Sequence, residues 1–195
     1  MIEFEEATHT YRIDGVVQPS VTQILSSMGL YVGHEFMTDE HATRGRYVHQ
    51  ACELLDKDDL DETDLDESLR GYVQAYKKFK AESGFKVDLI ERRVCSQTYG
   101  YAGTLDRTGI INGVDSIIDI KSGVKQPCDA LQTAAYMVAL AEEKGWEARV
   151  RCQRFALYLS KDGMYKLQQH TDRTDKDVFL SALAVCKWKK ENGLT

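Results

Sequence analysis

Two aspartates flank a turn signal in the middle of the chain. Asp106 and Asp119 lie on either side of Asn112-Gly113, a dipeptide typical of two-residue type I′ hairpin turns. Such a turn pairs residues whose numbers add up to 225, so Asp106 is predicted to face Asp119. Opposite residues in an antiparallel pair have Cβ atoms about 4.5–5.5 Å apart, where two like charges repel each other. We therefore expect a positive group beside the pair.

Lys121 is the nearest candidate for that positive group. Side chains alternate along a strand, so Lys121 shares a face with Asp119, whereas Ile118 and Ile120 point to the opposite, buried side. Two carboxylates, a free backbone carbonyl such as that of Ile120 and a lysine form a hard-oxygen site of the kind that binds Mg²⁺ or Mn²⁺. The lysine could orient or deprotonate an attacking water, which indicates phosphodiester hydrolysis.

A plainer interpretation of the hairpin stays open. The lysine would then neutralise two solvated aspartates on a surface hairpin. The predicted pairing also depends on a regular ladder, because one bulged residue between Asp106 and Asp119 would separate them.

A helical segment before the hairpin offers further ligands and phosphate contacts. His49 and Glu53 in "RGRYVHQACE" are four residues apart and share a helix face, which can supply a metal ligand. Arg44 and Arg46 lie just upstream and could contact phosphates. A surface histidine and solvent-exposed arginines are the alternatives. In the helix after the hairpin, Gln132 and Tyr136 share a face and are plausible substrate contacts.

Along the chain, the hydrophobic periodicity changes from helical to strand-like and back, which predicts the helices and strands that position these residues. Residues 2–18 predict a short hairpin, and "PSVTQILSSMG" begins with a capping box that opens a short helix. The later segments are, in order, a helix from about Thr38 to Leu55, the helix "ESLRGYVQAYKKFKAESG", the strands "KVDLIERRVCS", "YAGTLDRTGII" and "VDSIIDIKS", the helix "CDALQTAAYMVALAEEKG", the strands "ARVRCQRFALYLS" and "MYKLQQH", and the helix "DKDVFLSALAVCKWKKENG". This order predicts an α/β fold with a mixed sheet covered by helices.

The 195 residues are interpreted as one domain, of 43% hydrophobic and 29% charged residues. It comprises an N-terminal hairpin and short helix (1–37), a core (38–160) and a C-terminal strand and helix (161–195). No apolar run approaches the roughly 20 residues that span a bilayer, and the N-terminus does not resemble a secretory signal. We therefore expect a cytoplasmic protein without a membrane partner.

The net charge of −6 is concentrated in one segment. Asp56 to Glu67, "DKDDLDETDLDE", contains eight acids and one lysine, so the rest of the chain is close to neutral. A solvated loop between helices is expected. A calcium loop is not, because no glycine occupies the sixth position of an aspartate-rich register. Another interpretation of the chain is an interaction domain in which this acidic loop mimics DNA.

The five cysteines are scattered singly without a C-x-x-C motif. Their odd number and spacing indicate reduced core residues rather than disulfides. We expect no iron–sulfur cluster and no zinc site.

Four motifs in order resemble the RecB-like branch of the PD-(D/E)xK nuclease superfamily, which includes exonucleases of phage recombination systems and the CRISPR-adaptation nucleases. They are "GRYVHQACE", "GTLD", "IDIKSG" and "LQTAAY", within about residues 40–140. "PSVTQIL" upstream resembles phage-encoded members, which would place the protein in a host cytoplasm. The resemblance implies a restriction-endonuclease-like core of helix, three-stranded antiparallel meander, helix and strand, which agrees with the order read from periodicity.

The resemblance also implies roles for individual residues. The matching positions are His49 for the helical histidine, Asp106 for the first acid, Asp119 and Lys121 for the D-x-K motif, Gln132 and Tyr136 for the Q-x-x-x-Y helix, and Glu91 for the strand glutamate that many relatives carry near the site. Some relatives carry four cysteines around an iron–sulfur cluster, and the cysteines here do not match that pattern. A helicase motor is not expected, since no G-x-x-x-x-G-K-[ST] occurs.

The resulting hypothesis is a metal-dependent deoxyribonuclease, in particular an exonuclease. His49, Asp106, Asp119 and the Ile120 carbonyl would hold one or two Mg²⁺ or Mn²⁺ ions, and Lys121 would activate the water. DNA is the expected partner, with a homo-oligomer and a single-strand annealing or replication protein as further candidates. An endonuclease, a structure-specific flap nuclease and a non-catalytic DNA-binding or assembly module are the alternatives.

Overall fold

A mixed five-stranded sheet forms the centre of the protein. The computed structural model describes residues 2–31, 39–144 and 152–194. The strands β4 to β8 lie side by side in chain order; they are Lys86–Ser96, Tyr101–Ile111, Val114–Lys121, Gln153–Leu159 and Tyr165–Gln169. Strands β6 and β7 are parallel, and the other neighbours are antiparallel. The predicted α/β class and the helix, meander, helix, strand order are therefore confirmed.

A smaller antiparallel sheet precedes the large one. Its strands β1, β2 and β3 are Ile2–Glu5, Thr10–Ile13 and Val16–Gln18. The short hairpin predicted over residues 2–18 is present: β2 and β3 are joined at Asp14-Gly15, and β1 adds a third strand.

Within the described residues, five helices flank the large sheet. They are α1 Val21–Ser27, α2 Asp39–Asp56, α3 Glu67–Ser83, α4 Asp129–Lys144 and α5 Asp175–Glu191. The predicted capping box is present, because the Ser20 hydroxyl accepts from the Gln23 N–H and the Gln23 side chain accepts from the Ser20 N–H. The predicted helix start at Thr38, the helix stop at Gly145 and the first residues of the strand predicted from Ala148 lie outside the described residues. None of the described helices combines the length and apolar character needed to cross a bilayer.

The core has one apolar layer on each face of the sheet. Side chains of α1, α4 and α5 pack with Leu105 and Ile117 in the first layer. Side chains of α2 and α3 pack with Ile118 and Ile120 in the second. All five cysteines are free; Cys52 and Cys128 are buried and the other three are half-buried.

The acidic segment begins later than the sequence analysis predicted. Asp56 is the last residue of α2, and its side chain is completely buried, where it contacts Arg107 and Lys80. The assignment of Asp56 to a solvated loop was therefore wrong, because a buried guanidinium compensates its charge. At the other end of the segment, Glu67 begins α3, with Asp66 as its N-cap.

The hairpin between β5 and β6 has the predicted turn. Asn112 and Gly113 both have positive φ, 51° and 79°, as a type I′ turn requires. Pairing follows the predicted register from Ile111 opposite Val114 to Arg107 opposite Ile118. The register is confirmed over this stretch, which ends one residue before Asp106.

Candidate metal and acid–lysine site

Asp106 lies where the ladder between β5 and β6 ends. Its Oδ2 atom accepts a hydrogen bond of 2.6 Å from the backbone N–H of Ile120. The alternation of β5 also changes here, because Leu105 packs in the layer with α4 whereas Arg107 contacts Asp56 of α2 on the opposite face. The Asp106 carboxylate therefore accepts a hydrogen bond from the β6 backbone at the point where the regular ladder ends.

His49, Glu91 and Asp106 bring their potential ligand atoms together from three elements. His49 Nδ1 lies 3.5 Å from Asp106 Oδ1 and 3.8 Å from Glu91 Oε1. One ligand atom from each residue lies within 4.8 Å of the other two, and no other such group of histidine, cysteine or acid side chains occurs in the part of the chain that the structure describes. Because the side chains of His49 and Glu91 are 30% and 27% exposed, the cluster opens to solvent.

The three groups of the cluster perturb one another's pKa values. Burial, together with the charges of Asp119 and Glu91, raises the pKa of Asp106 to about 7, although His49 opposes the shift. Burial alone would lower the pKa of His49, but the Asp106 and Glu91 carboxylates raise it to about 9. Burial opposes ionisation of Glu91, yet its contacts with His49 and Arg107 lower its pKa. A protonated His49 is thus one of the positive groups expected beside the acids.

Lys121 is the second positive group and belongs to a hydrogen-bonded chain. Its Nζ lies 2.8 Å from Asp119 Oδ2 and donates to Gln132 Oε1 at 2.7 Å. Gln132 Nε2 in turn donates to the Tyr136 hydroxyl at 3.2 Å. Burial would lower the pKa of Lys121, but the neighbouring carboxylates, Asp119 first among them, keep it well above the usual value. Lys121 is therefore a fixed cation at the end of β6.

Gly103 makes room for this chain of residues. A Cβ atom at position 103 would lie 2.8 Å from Tyr136 Cε1 and 3.3 Å from Val21 Cγ2. The glycine of "GTLD" and the tyrosine of "LQTAAY" are thus in direct contact.

Asp129 and Tyr158 belong to the site but were missed by the sequence analysis. Asp129 Oδ1 lies 3.6 Å from Lys121 Nζ, and its Oδ2 accepts from the Tyr158 hydroxyl at 2.7 Å. Tyr158 pairs with Lys121 across the parallel strands β6 and β7. No turn sets a parallel register, so this pairing could not be read from the sequence; the position of Asp129 at the start of an amphipathic helix was the available signal.

The remaining predicted residues occupy varied positions. Glu53 forms an ion pair of 2.6 Å with Lys57 and is not a member of the three-residue cluster. Arg46 is exposed and donates to Thr43, and Arg44 is half-buried beside Gly45, where a Cβ would lie 3.6 Å from Ser122 Oγ. The start of α2 therefore lies against the end of β6, next to Lys121. Metal binding by Asp119 and the Ile120 carbonyl, and substrate contacts of Arg44, Arg46, Gln132 and Tyr136, stay predictions.

Comparison with solved structures identifies the fold. A "putative exonuclease" from Eubacterium rectale superimposes with a TM-score of 0.50 and 9% sequence identity, over 78% of this chain and 69% of that chain. The two proteins share a fold. The alkaline exonuclease LHK-Exo from Laribacter hongkongensis gives a TM-score of 0.39 at 16% identity, and its complex with dAMP gives 0.38 at 14%, each over 90% of this chain and 93% of the other. No protein-family model matches the chain, and a search of curated proteins finds no significant match.

Proposed function

We propose that this chain is a divalent-metal-dependent DNA nuclease that hydrolyses phosphodiester bonds from DNA ends. The observation that carries the proposal is the cluster of His49, Glu91 and Asp106 next to Lys121, which Asp119 holds in place. The fold shared with an exonuclease-type structure and the motif order of RecB-like nucleases support it.

The cluster fits a hard divalent cation such as Mg²⁺ or Mn²⁺. Two carboxylates and an imidazole are ligands that Mn²⁺ accepts readily. A bound cation would also compensate the negative charge of the Asp106 carboxylate, whose pKa is raised mainly by burial. His49, Glu91 and Asp106 would hold the ion, with Asp119 and the Ile120 carbonyl as further proposed ligands. When bound, such an ion polarises a phosphoryl oxygen and lowers the pKa of a bound water.

Lys121 is the residue of this chain that we assign to the reacting phosphate. Its side chain is 21% exposed, so the ammonium group can contact substrate while Asp119 and Gln132 fix its direction. A fixed cation stabilises the negative charge that develops on the phosphate in the transition state, and its N–H groups can orient the attacking water. Arg44 and Arg46 are proposed to bind the DNA backbone on the same side of the molecule.

The preference for DNA ends rests on the resemblance and the shared fold. It can be tested with end-labelled linear DNA and covalently closed circular DNA, each incubated with Mn²⁺ or with chelator. We expect progressive loss of the linear DNA in Mn²⁺, with the closed circle intact. Cleavage of the circle would instead favour an endonuclease or flap nuclease. Activity on neither substrate would favour a non-catalytic DNA-binding or assembly module.

The assembly of the protein is part of the same proposal. From the resemblance we propose a homo-oligomer that works with a single-strand annealing or replication protein. Light scattering on the purified chain tests the first point; a monomer at all concentrations would contradict it.

A further inference from the structure

Glu91 has a left-handed backbone conformation in the middle of a strand. Its φ is +46°, and it lies within β4. The other described non-glycine residues with positive φ all lie in turns; they are His9, Asp14, Asp58 and Asn112. This conformation is costly for a residue with a Cβ and persists only where surrounding contacts over-determine it. Contacts of its side chain must therefore help to hold Glu91 in place.

Arg107 provides such a contact. Its Nη1 donates to Glu91 Oε1 at 2.8 Å and to the backbone carbonyl of Asp106 at 2.7 Å. The Arg107 side chain is fully buried, so the guanidinium is shielded from water, whereas Glu91 is 27% exposed. One nitrogen atom thus connects two members of the cluster.

The same guanidinium also reaches the helix that carries the third member. Arg107 Nε donates to Asp56 Oδ2 at 2.6 Å. Asp56 follows His49 by seven residues, close to two helical turns, so both side chains lie on one face of α2. Asp56 also accepts from Lys80 and Tyr76 of α3. The Asp56 contact therefore joins α2, the helix that carries His49, to Arg107 of β5.

We propose that Arg107 is the positioning residue of the metal site: its guanidinium holds Glu91, and the helix bearing His49, against the strand that carries Asp106. The inference rests on the proposed function, but Arg107 itself need contact neither the metal nor DNA. Without it, Glu91 can relax to an ordinary strand conformation and the three ligands lose their common geometry.

The experiment measures Mn²⁺ binding without DNA, by electron paramagnetic resonance or calorimetry. Arg107→Lys keeps the charge but cannot form the same fork of hydrogen bonds. Loss of an outer contact to a metal ligand weakens metal affinity about 10–100-fold, and we expect a loss in that range. Arg154→Lys is the matched control, since Arg154 is a buried arginine of the same sheet that contacts the Asp175 carboxylate and the Ala130 carbonyl. Arg154→Lys should bind Mn²⁺ like the parent, even if its melting temperature falls as much as that of Arg107→Lys.

A double-mutant cycle with Glu91→Gln tests whether Arg107 acts through Glu91. We expect the double variant to lose less Mn²⁺ affinity than the two single losses combined, because part of the Arg107 effect acts through Glu91 and the rest through Asp56. Asp56→Asn should reproduce part of the loss of Mn²⁺ affinity. If Arg107→Lys does not fold, Asp56→Asn is the variant that tests the inference. Parental Mn²⁺ affinity in the folded Arg107→Lys variant, or fully additive effects in the cycle, would overturn the inference. A parent that does not bind Mn²⁺ would overturn the proposed function and this inference with it.

Discussion

The Asp106 carboxylate accepts a hydrogen bond of 2.6 Å from the backbone N–H of Ile120, the residue between Asp119 and Lys121. This bond ties the first acid to the D-x-K segment through the backbone. Only one carboxylate oxygen is used, and the other lies 3.5 Å from His49 Nδ1. Asp106 can therefore hold the backbone of β6 with one oxygen and contribute the other to the candidate metal site.

Replacing Asp106 with asparagine separates these two roles. Asparagine keeps an acceptor for the Ile120 N–H but removes a buried charge, which the fold disfavours because burial raises the pKa of Asp106 to about 7. We expect the melting temperature of Asp106→Asn in chelator to equal or exceed that of the parent. Millimolar Mn²⁺ should stabilise the parent and leave the variant unchanged. An equal Mn²⁺ shift in both proteins would place the ion elsewhere.

The stability of the metal-free protein should fall as pH rises. Asp106 has a pKa of about 7 instead of 3.8, so its contribution to the free energy of unfolding is complete below pH 3.8 and is lost progressively as pH rises to 7. His49 has a pKa of about 9 instead of 6.5, so its contribution is complete below pH 6.5 and is lost as pH rises through 9. Chemical denaturation in chelator should show the decline from pH 7 to 9, and His49→Gln should flatten it. A parental slope in His49→Gln would contradict the assignment.

Gly103→Ala should destabilise the protein and reduce activity. The added Cβ would approach Tyr136 Cε1 to 2.8 Å, and overpacking of a core typically costs about 1–3 kcal/mol. Displacement of Tyr136 would also disturb Gln132 and Lys121. Gly123→Ala is the control for the melting curve, since a Cβ there meets nothing within 4 Å. Equal stability of the two variants would show that Tyr136 can move aside without cost.

Asp129→Asn should lower activity without weakening metal binding. Asparagine keeps an acceptor for Tyr158, but Lys121 loses one of its two neighbouring carboxylates. A loss of positioning worth about 1.4 kcal/mol corresponds to a tenfold lower kcat. Single-turnover cleavage and Mn²⁺ titration of this variant, beside Asp115→Asn at an exposed position of β6, provide the measurement. Parental kcat in Asp129→Asn would remove Asp129 from the site.

Much of this arrangement could be predicted because local chemistry fixes it. The Asn112-Gly113 turn requires positive φ at both residues, and that geometry alone sets the register as far as Arg107 opposite Ile118. The contact of Asp106 could not be predicted from the sequence. The regular ladder ends at Arg107, and the Asp106 carboxylate, not a backbone carbonyl, accepts from the Ile120 N–H. The strand periodicity and the turn residues therefore predicted where Asp106 and Asp119 lie, but not which groups they contact.

The predictions that failed or fell short concern charges between distant elements. Asp56 looked like the first residue of a solvated acidic loop, yet it is buried because Arg107, on another strand, compensates it. Glu91 could be placed near the site only through the resemblance, because a left-handed residue within a strand leaves no local sequence signal. Such pairings depend on how α2 packs across the sheet, which hydrophobic periodicity does not specify.

Mn²⁺-dependent digestion of end-labelled linear DNA is the most direct test of the roles assigned to Asp119 and Lys121. The parent is compared with Asp119→Ala and Lys121→Ala, and Asp115→Ala and Lys166→Ala are the exposed charge controls. Loss of a group that acts in the transition state lowers the rate by about 10²-fold or more. We predict such a loss for Asp119→Ala and Lys121→Ala, in folded protein, and parental rates for the two controls. Parental cleavage by both Asp119→Ala and Lys121→Ala would contradict the assignment of the site.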